Sequence, residues 1–349
     1  MSGVQVLTIG AEDDDQRLDR WLKRQFPHLA QGRIEKMCRK GELRIDGGRV
    51  KASTRLSAGQ NVRIPPLGEQ DDQPAPLIAR DTVSKADYDM IRAAVIWKDD
   101  HIIALNKPPG LPTQGGSKQL RHIDGMTEAL RFGYDDKPRL VHRLDKDTSG
   151  LLLLARTREI AAKLTAAMRH RETRKIYWAL VAGVPKPYQG EIKFGLVKAP
   201  GHGKGGENEK MRCVLPRDMD QTPGAKRAHT LYATLYRVAG RAAWVALEPV
   251  TGRTHQLRAH MAEIGHPIIG DGKYGGSGQD NPGDGWGAQV GGIISKKLHL
   301  HARTMAFEHP VTRKPVILHA PLPTHMAQSW EALGWEESFA REDPFEDYR

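Results

Sequence analysis

The chain has 349 residues, 39% of them hydrophobic and 27% charged, with a formal charge of +11 and a pI near 9.6. That length favours two domains over one core, and the excess of cations calls for an acidic partner, nucleic acid or an anionic membrane. No apolar run approaches the ~20 residues that span a bilayer, and MSGVQVLTIGAEDDD lacks the basic and apolar segments of a signal peptide, so nucleic acid leads and a cytoplasmic location is expected.

Residues 16–66 read as a small basic α/β module. Leu18, Trp21, Leu22 and Phe26 recur at helical spacing, as do Ile34, Met37 and Cys38 in a second helix. Arg33, Lys36, Arg39 and Lys40 give that second helix a cationic side, a candidate RNA-binding face or a solvated one. Asp46-Gly47 marks a hairpin, and NVRIP a further strand. Residues 67–89 follow as an extended linker, rich in proline and acid.

A second domain is expected over 90–325 and a short tail over 326–349. AAVIW, HIIALN, LLLLA, KIYWALVAG, TLYATLYRV and AAWVALEPV read as strands, and REIAAKLTAAMRH and THQLRAHMAEIG as helices. Many strands with few, irregularly placed helices predict an α+β fold with a mainly antiparallel mixed sheet. Three glycine-rich or polar stretches, 115–122, 198–212 and 274–292, read as loops or insertions. Cys38 and Cys213 are expected as free, packed thiols.

The stretch VHRLDKDTSGLLLLAR (141–156) places Asp145 in a polar turn before a run of four leucines. A carboxylate anchored by a buried strand is well held and can serve as nucleophile or base. Asp and Ser also shape turns without chemistry, and on the residues alone the two readings weigh evenly. A calcium loop is excluded, because its twelfth position would be Arg156. The 15 histidines suggest no metal site: His255 and His260 are five apart, and the two cysteines complete no zinc set. GHGKGG lacks the Ser or Thr and the spacing of a phosphate-binding loop.

HRLDKDTSG resembles the signature of the RluA family of pseudouridine synthases, and other segments follow in order. LNKPPGLPTQGG, KIYWALVAG, PVTGRTHQLRAH, GHPIIGDGKYG and LHLHARTMAFEHP resemble that family's successive motifs, while RLDRWL and GELRIDGGRV resemble an S4 RNA-binding domain. The resemblance implies a uridine isomerase acting on large-subunit ribosomal RNA, without cofactor or metal. No obligate protein partner is expected, and the chain is read as a monomer. It implies Asp145 as catalytic carboxylate, Arg258 as its cation, with Arg253 as the lesser candidate, and Tyr177 against the flipped base. His142, Arg143, Lys107, Arg253, His255, Gln256 and Leu300 are carried over as substrate-binding residues. Asp145 would either attack the sugar or remove its 2′ proton, and both routes stay open. The alternative is a non-catalytic RNA-binding or assembly factor, which need not keep Asp145, Tyr177 and Arg258 together.

Overall fold

The computed structural model describes residues 3–67, 83–115, 121–169, 173–199, 209–275, 294–340 and 343–346. Most of the expected linker and most of each of the three expected loops lie outside the described residues. The chain divides into two compact units, Met1–Thr82 and Val83–Arg349.

In the first unit the order is β1 (Gln5–Thr8), α1 (Leu18–Gln25), α2 (Gln31–Lys40), β2 (Arg44–Ile45), β3 (Gly48–Arg49) and β4 (Asn61–Ile64). The strands form an antiparallel sheet in the order β1-β4-β2-β3. Both helical stripes bury as their spacing requires: Leu18, Trp21, Leu22, Phe26, Ile34, Met37 and Cys38 pack with Val62 and Ile64. Asp46 and Gly47 both take positive φ, 48° and 78°, as a tight two-residue hairpin demands. The unit reaches further toward the N-terminus than residue 16, because β1 pairs with β4 and the Trp21 indole donates to Asp13 at 3.0 Å.

The second unit runs α3 (Lys85–Ala93), β5 (Val95–Lys98), β6 (Ile102–Lys107), α4 (Ile123–Met126), β7 (Arg139–Leu140), β8 (Ser149–Ala155), α5 (Arg158–Arg169) and β9 (Arg174–Ala182). It continues with β10 (Gln189–Lys198), β11 (Met211–Val214), β12 (Lys226–Val238), β13 (Ala242–Pro249), α6 (Gln256–Glu263), β14 (Leu300–Glu308), β15 (Pro315–His319) and α7 (Thr324–Ala332). Eleven of these strands make one sheet, ordered β11-β10-β12-β13-β9-β14-β8-β6-β5, with β15 on β14 and β7 on β8. Among the described pairings only β8 with β14 is parallel, so the fold is α+β and predominantly antiparallel.

Helix α3 starts inside the stretch read as linker, where the Ser84 hydroxyl accepts the Asp87 amide at 3.1 Å, a regular N-cap. The described residues of the stretch expected as a tail are packed. Met326, Trp330, Trp335 and Phe345 bury against Trp178 and Trp244, and their apolar surface supplies the reason.

Strand β8 has all seven residues buried, which explains its unbroken leucines. It meets β14 at Ser149–His301 and Gly150–Ala302. Gly150 has φ +109°, and a Cβ there would lie 2.7 Å from the Ala302 amide nitrogen and closer still to its carbonyl oxygen. Gly150→Ala is therefore expected to cost about 3 kcal/mol or more, read as a lowered denaturation midpoint. A midpoint equal to that of the unaltered chain would refute the close-approach argument.

Candidate active site

Asp145 sits in the turn that feeds β8, and both of its neighbours are pinned. The Leu144 carbonyl accepts the Thr113 hydroxyl at 2.7 Å, and the Lys146 carbonyl accepts the Lys107 ammonium at 2.9 Å. Lys107 also donates to the carbonyls of Pro108 and Leu111, at 2.8 and 2.9 Å. Burial pushes its amine down to about 7, with Asp147 and Asp145 pulling the other way. Three carbonyls match the three N–H donors of the charged form. Lys107 has no exposed surface, so the expectation that it binds substrate is corrected: its donors are spent holding the Asp145 turn.

Tyr177 reaches the same place by strand parity. On β9, Ile176, Trp178 and Leu180 enter the core shared with Trp244, whereas Tyr177, Ala179 and Val181 face the opposite side with Leu300. Burial, and then the Asp145 charge, push the Tyr177 phenol above its ordinary range.

Helix α6 brings the cation. His255 sits at its N-cap with φ 51°, and Arg258 lies within its first turn, only 4% exposed. The Arg258 Nε and Nη2 grip both oxygens of Asp271 at 2.7 Å each, which leaves Nη1 at 3.7 Å from Asp145 Oδ2. Burial opposes the guanidinium charge, but the hydrogen bonds and charge of Asp271, then Asp145, hold Arg258 above its usual value. Burial likewise opposes the Asp271 carboxylate, and Arg258 keeps it below the ordinary range. Such a buried pair fixes the direction of the third guanidinium nitrogen.

His255 Nε2 lies 3.8 Å from Asp145 Oδ2, and its Nδ1 is 3.0 Å from the Tyr274 hydroxyl. Tyr274 also lies under the Arg258 guanidinium, 5.3 Å from ring centre to Cζ. Asp145, Tyr177, His255, Arg258 and Leu300 line one cleft of about 790 Å³. His142, Arg143, Arg253 and Gln256 line it too. Of these, Arg143 and Arg253 are exposed.

His142 Nε2 accepts the Leu153 amide at 3.0 Å, and burial pushes the ring down to about 3, so it holds the turn as a neutral group. Gln256 is 3% exposed and fully used: its oxygen accepts from Thr251 Oγ1 and the Arg253 amide, and its nitrogen donates to the His229 carbonyl and Thr230 Oγ1. The expectation that Gln256 binds substrate is therefore corrected; it ties the 251–256 loop to β12.

Sequence reasoning missed Asp271 and Tyr274. Their signal was the D-x-x-Y within GHPIIGDGKYG, masked by the glycines that made 274–292 read as a loop. Across the cleft a positioned carboxylate, a directed cation and an aromatic face converge. The other acid on the cleft wall, Glu248, is held by Arg174 at 2.9 Å. Glycoside hydrolysis uses two free carboxylates to manage water; one carboxylate suits a bond that is broken and remade without it. In the first unit Lys36, Arg39 and Lys40 are exposed on α2 and Arg33 is half-buried beside them.

Residues 101–263 match the family of RNA pseudouridylate synthases, and residues 16–62 match the S4 domain. The ribosomal large subunit pseudouridine synthase C of Vibrio cholerae serotype O1 is 36% identical over 330 residues, covering 93% of this chain and 96% of that protein. The protein of the same name from Rickettsia bellii is 36% identical over 313 residues, covering 88% and 95%. Among solved structures, human RNA pseudouridylate synthase domain containing 4 superposes with a TM-score of 0.57 at 27% identity, over 71% of this chain and 96% of that one.

Proposed function

From the premise that the chain belongs to the RNA pseudouridylate synthase family, we propose that it isomerises uridines of large-subunit ribosomal RNA, with Asp145 acting at the sugar–base bond. The relatives' names support the substrate, and the observation that carries the mechanism is Arg258 directed at Asp145 by Asp271.

In this reading the target nucleotide is everted into the cleft, where Tyr177 and Leu300 give its base an apolar seat that offsets lost stacking. Asp145 either bonds to C1′ or takes the 2′ proton as the N1–C1′ bond breaks with its electron pair on the uracil. The base turns and C5 bonds to C1′, as the Asp145–C1′ bond breaks in the first route or Asp145 returns the proton to C2′ in the second, and the proton lost from C5 is balanced by one gained at N1. Nothing is oxidised and no water is added. Arg143 and Arg253, exposed at the mouth, suit phosphates flanking the target.

The test of substrate is a pseudouridine map of ribosomal RNA from cells with and without this gene. Loss of one or more large-subunit pseudouridines, restored by the intact gene, is the expected result; an unchanged map removes the substrate assignment.

The S4 unit would contribute affinity through phosphates. Reversing Lys36 and Arg39 to glutamate should weaken binding to a large-subunit RNA fragment. It should also flatten the slope of log K against log salt by about 0.7–0.9 for each phosphate left without its cation. An unchanged slope would remove those two side chains from the interface.

A further inference from the structure

The two groups that approach Asp145 do so at the same atom. Arg258 Nη1 and His255 Nε2 lie 3.7 and 3.8 Å from Oδ2. What His255 offers there depends on which ring nitrogen carries its proton, and the surrounding hydrogen bonds decide that. The Met211 backbone amide donates to the Tyr274 hydroxyl oxygen at 2.8 Å, so that oxygen is an acceptor on one side. Among the described residues its own hydrogen has one acceptor, His255 Nδ1 at 3.0 Å. With that hydrogen given to Nδ1, the ring nitrogen is an acceptor and the neutral ring bears its own hydrogen on Nε2.

We propose that Tyr274 is a positioning residue that locks His255 in the Nε2–H tautomer, so that His255 and Arg258 together hold Oδ2 of Asp145 and leave Oδ1 to react at the nucleotide. This rests on the reading of Asp145 as the reacting carboxylate. Catalytic contacts of this length, 3.7 and 3.8 Å, shorten to hydrogen bonds when a substrate completes the site. The positive φ of His255, a conformation rarely held by a non-glycine residue, aims the ring between Tyr274 and Asp145.

Protonation behaviour agrees with the geometry. Burial pushes the Tyr274 phenol up to about 12, so it keeps the hydrogen it donates. Burial also pulls His255 below its ordinary value, against the Asp145 charge, so the ring is neutral when Asp145 works. A second proton on His255 would set N–H against the Tyr274 O–H, and Tyr274→Phe removes that obstacle. Imidazolium then forms more readily beside Asp145 and draws its charge away from the nucleotide. The charged groups facing His255 are Asp145, Arg258, Lys273 and Asp271, from the catalytic turn, α6 and the turn after it.

The experiment has two arms on the full-length protein. In the first, histidine-selective ¹⁵N spectra of the RNA-free protein should show His255 protonated on Nε2 and bare on Nδ1, the signals being assigned by their loss in His255→Gln. Tyr274→Phe should mix the tautomers. In the second, single-turnover rates on a ribosomal RNA fragment should fall about 10-fold in Tyr274→Phe with RNA affinity unchanged, and the acid limb of the rate should move up by about one pH unit. A wild-type His255 protonated on Nδ1 overturns the proposal, as does a rate loss with no movement of the acid limb. Should Tyr274→Phe fail to fold, the wild-type tautomer still decides. The first arm uses no RNA, so an inactive wild type with Nε2–H intact would sink the substrate reading and leave this one standing.

Discussion

Asp145→Asn is expected to lower pseudouridine formation by roughly 10⁴-fold or more while RNA affinity stays nearly unchanged. The amide has the shape of the carboxylate, and the turn between Leu144 and Lys146 keeps the anchors at its two neighbours. In the proposed reaction it loses the charge that either attacks the sugar or accepts its proton. Because the reaction exchanges the hydrogen at C5, tritium released from RNA labelled there counts turnover directly. Tritium release near the wild-type rate would remove Asp145 from the chemistry.

Acid should unfold the second unit unusually early. Burial pushes His142 and His301 down to about 3 and His260 and His299 down to about 4. His142 accepts an amide at Nε2, and His301 Nε2 donates to the Ala320 carbonyl at 3.1 Å, leaving Nδ1 to accept from Ser149 at 2.9 Å. In the unfolded chain each ring titrates near 6.5. The folded values are depressed, so the stability these rings contribute is complete above about pH 6.5 and drains as pH falls toward 4. Each contributes about 1.4 kcal/mol per pH unit in that window, or about 5–6 kcal/mol per unit for the four together. Against a typical stability of about 5–15 kcal/mol, tryptophan fluorescence should report cooperative unfolding at about pH 4–5.5. His301→Gln should make the pH dependence shallower. Native fluorescence persisting at pH 3 would refute the linkage.

Parts of this molecule are legible in the sequence because one local rule dominates. The leucines of β8 fit only a buried strand, and Leu18, Trp21 and Leu22 fit only one face of a helix. Strand β10 leaves no clear signal, because Gly190 and Gly195 interrupt its alternation. Helix α3 is hidden by the proline and acid just upstream, which make the region read as linker. The motif points to Arg258 but not to the bidentate Asp271 that aims it, since a pair thirteen residues apart across a turn leaves no periodic trace. The motifs carry Lys107 and Gln256 as substrate-binding residues, but their partners are backbone and neighbouring side chains. A motif reports that a polar side chain is required; whether it faces ligand or protein depends on burial, which motifs do not encode.

The parallel pairing of β8 with β14 joins Ser149 to His301, residues 152 apart in sequence. A ribosome making this chain releases the S4 unit and the Asp145 turn long before the strand that braces that turn. Until Leu300–Glu308 emerges, β8 is paired only on its β6 and β7 side, and Gly150 lacks the Ala302 backbone it meets in the finished sheet. The growing polypeptide thus acquires its grip on RNA first and its reactivity last, an order of maturation written into the distance along the chain between two hydrogen-bonded residues.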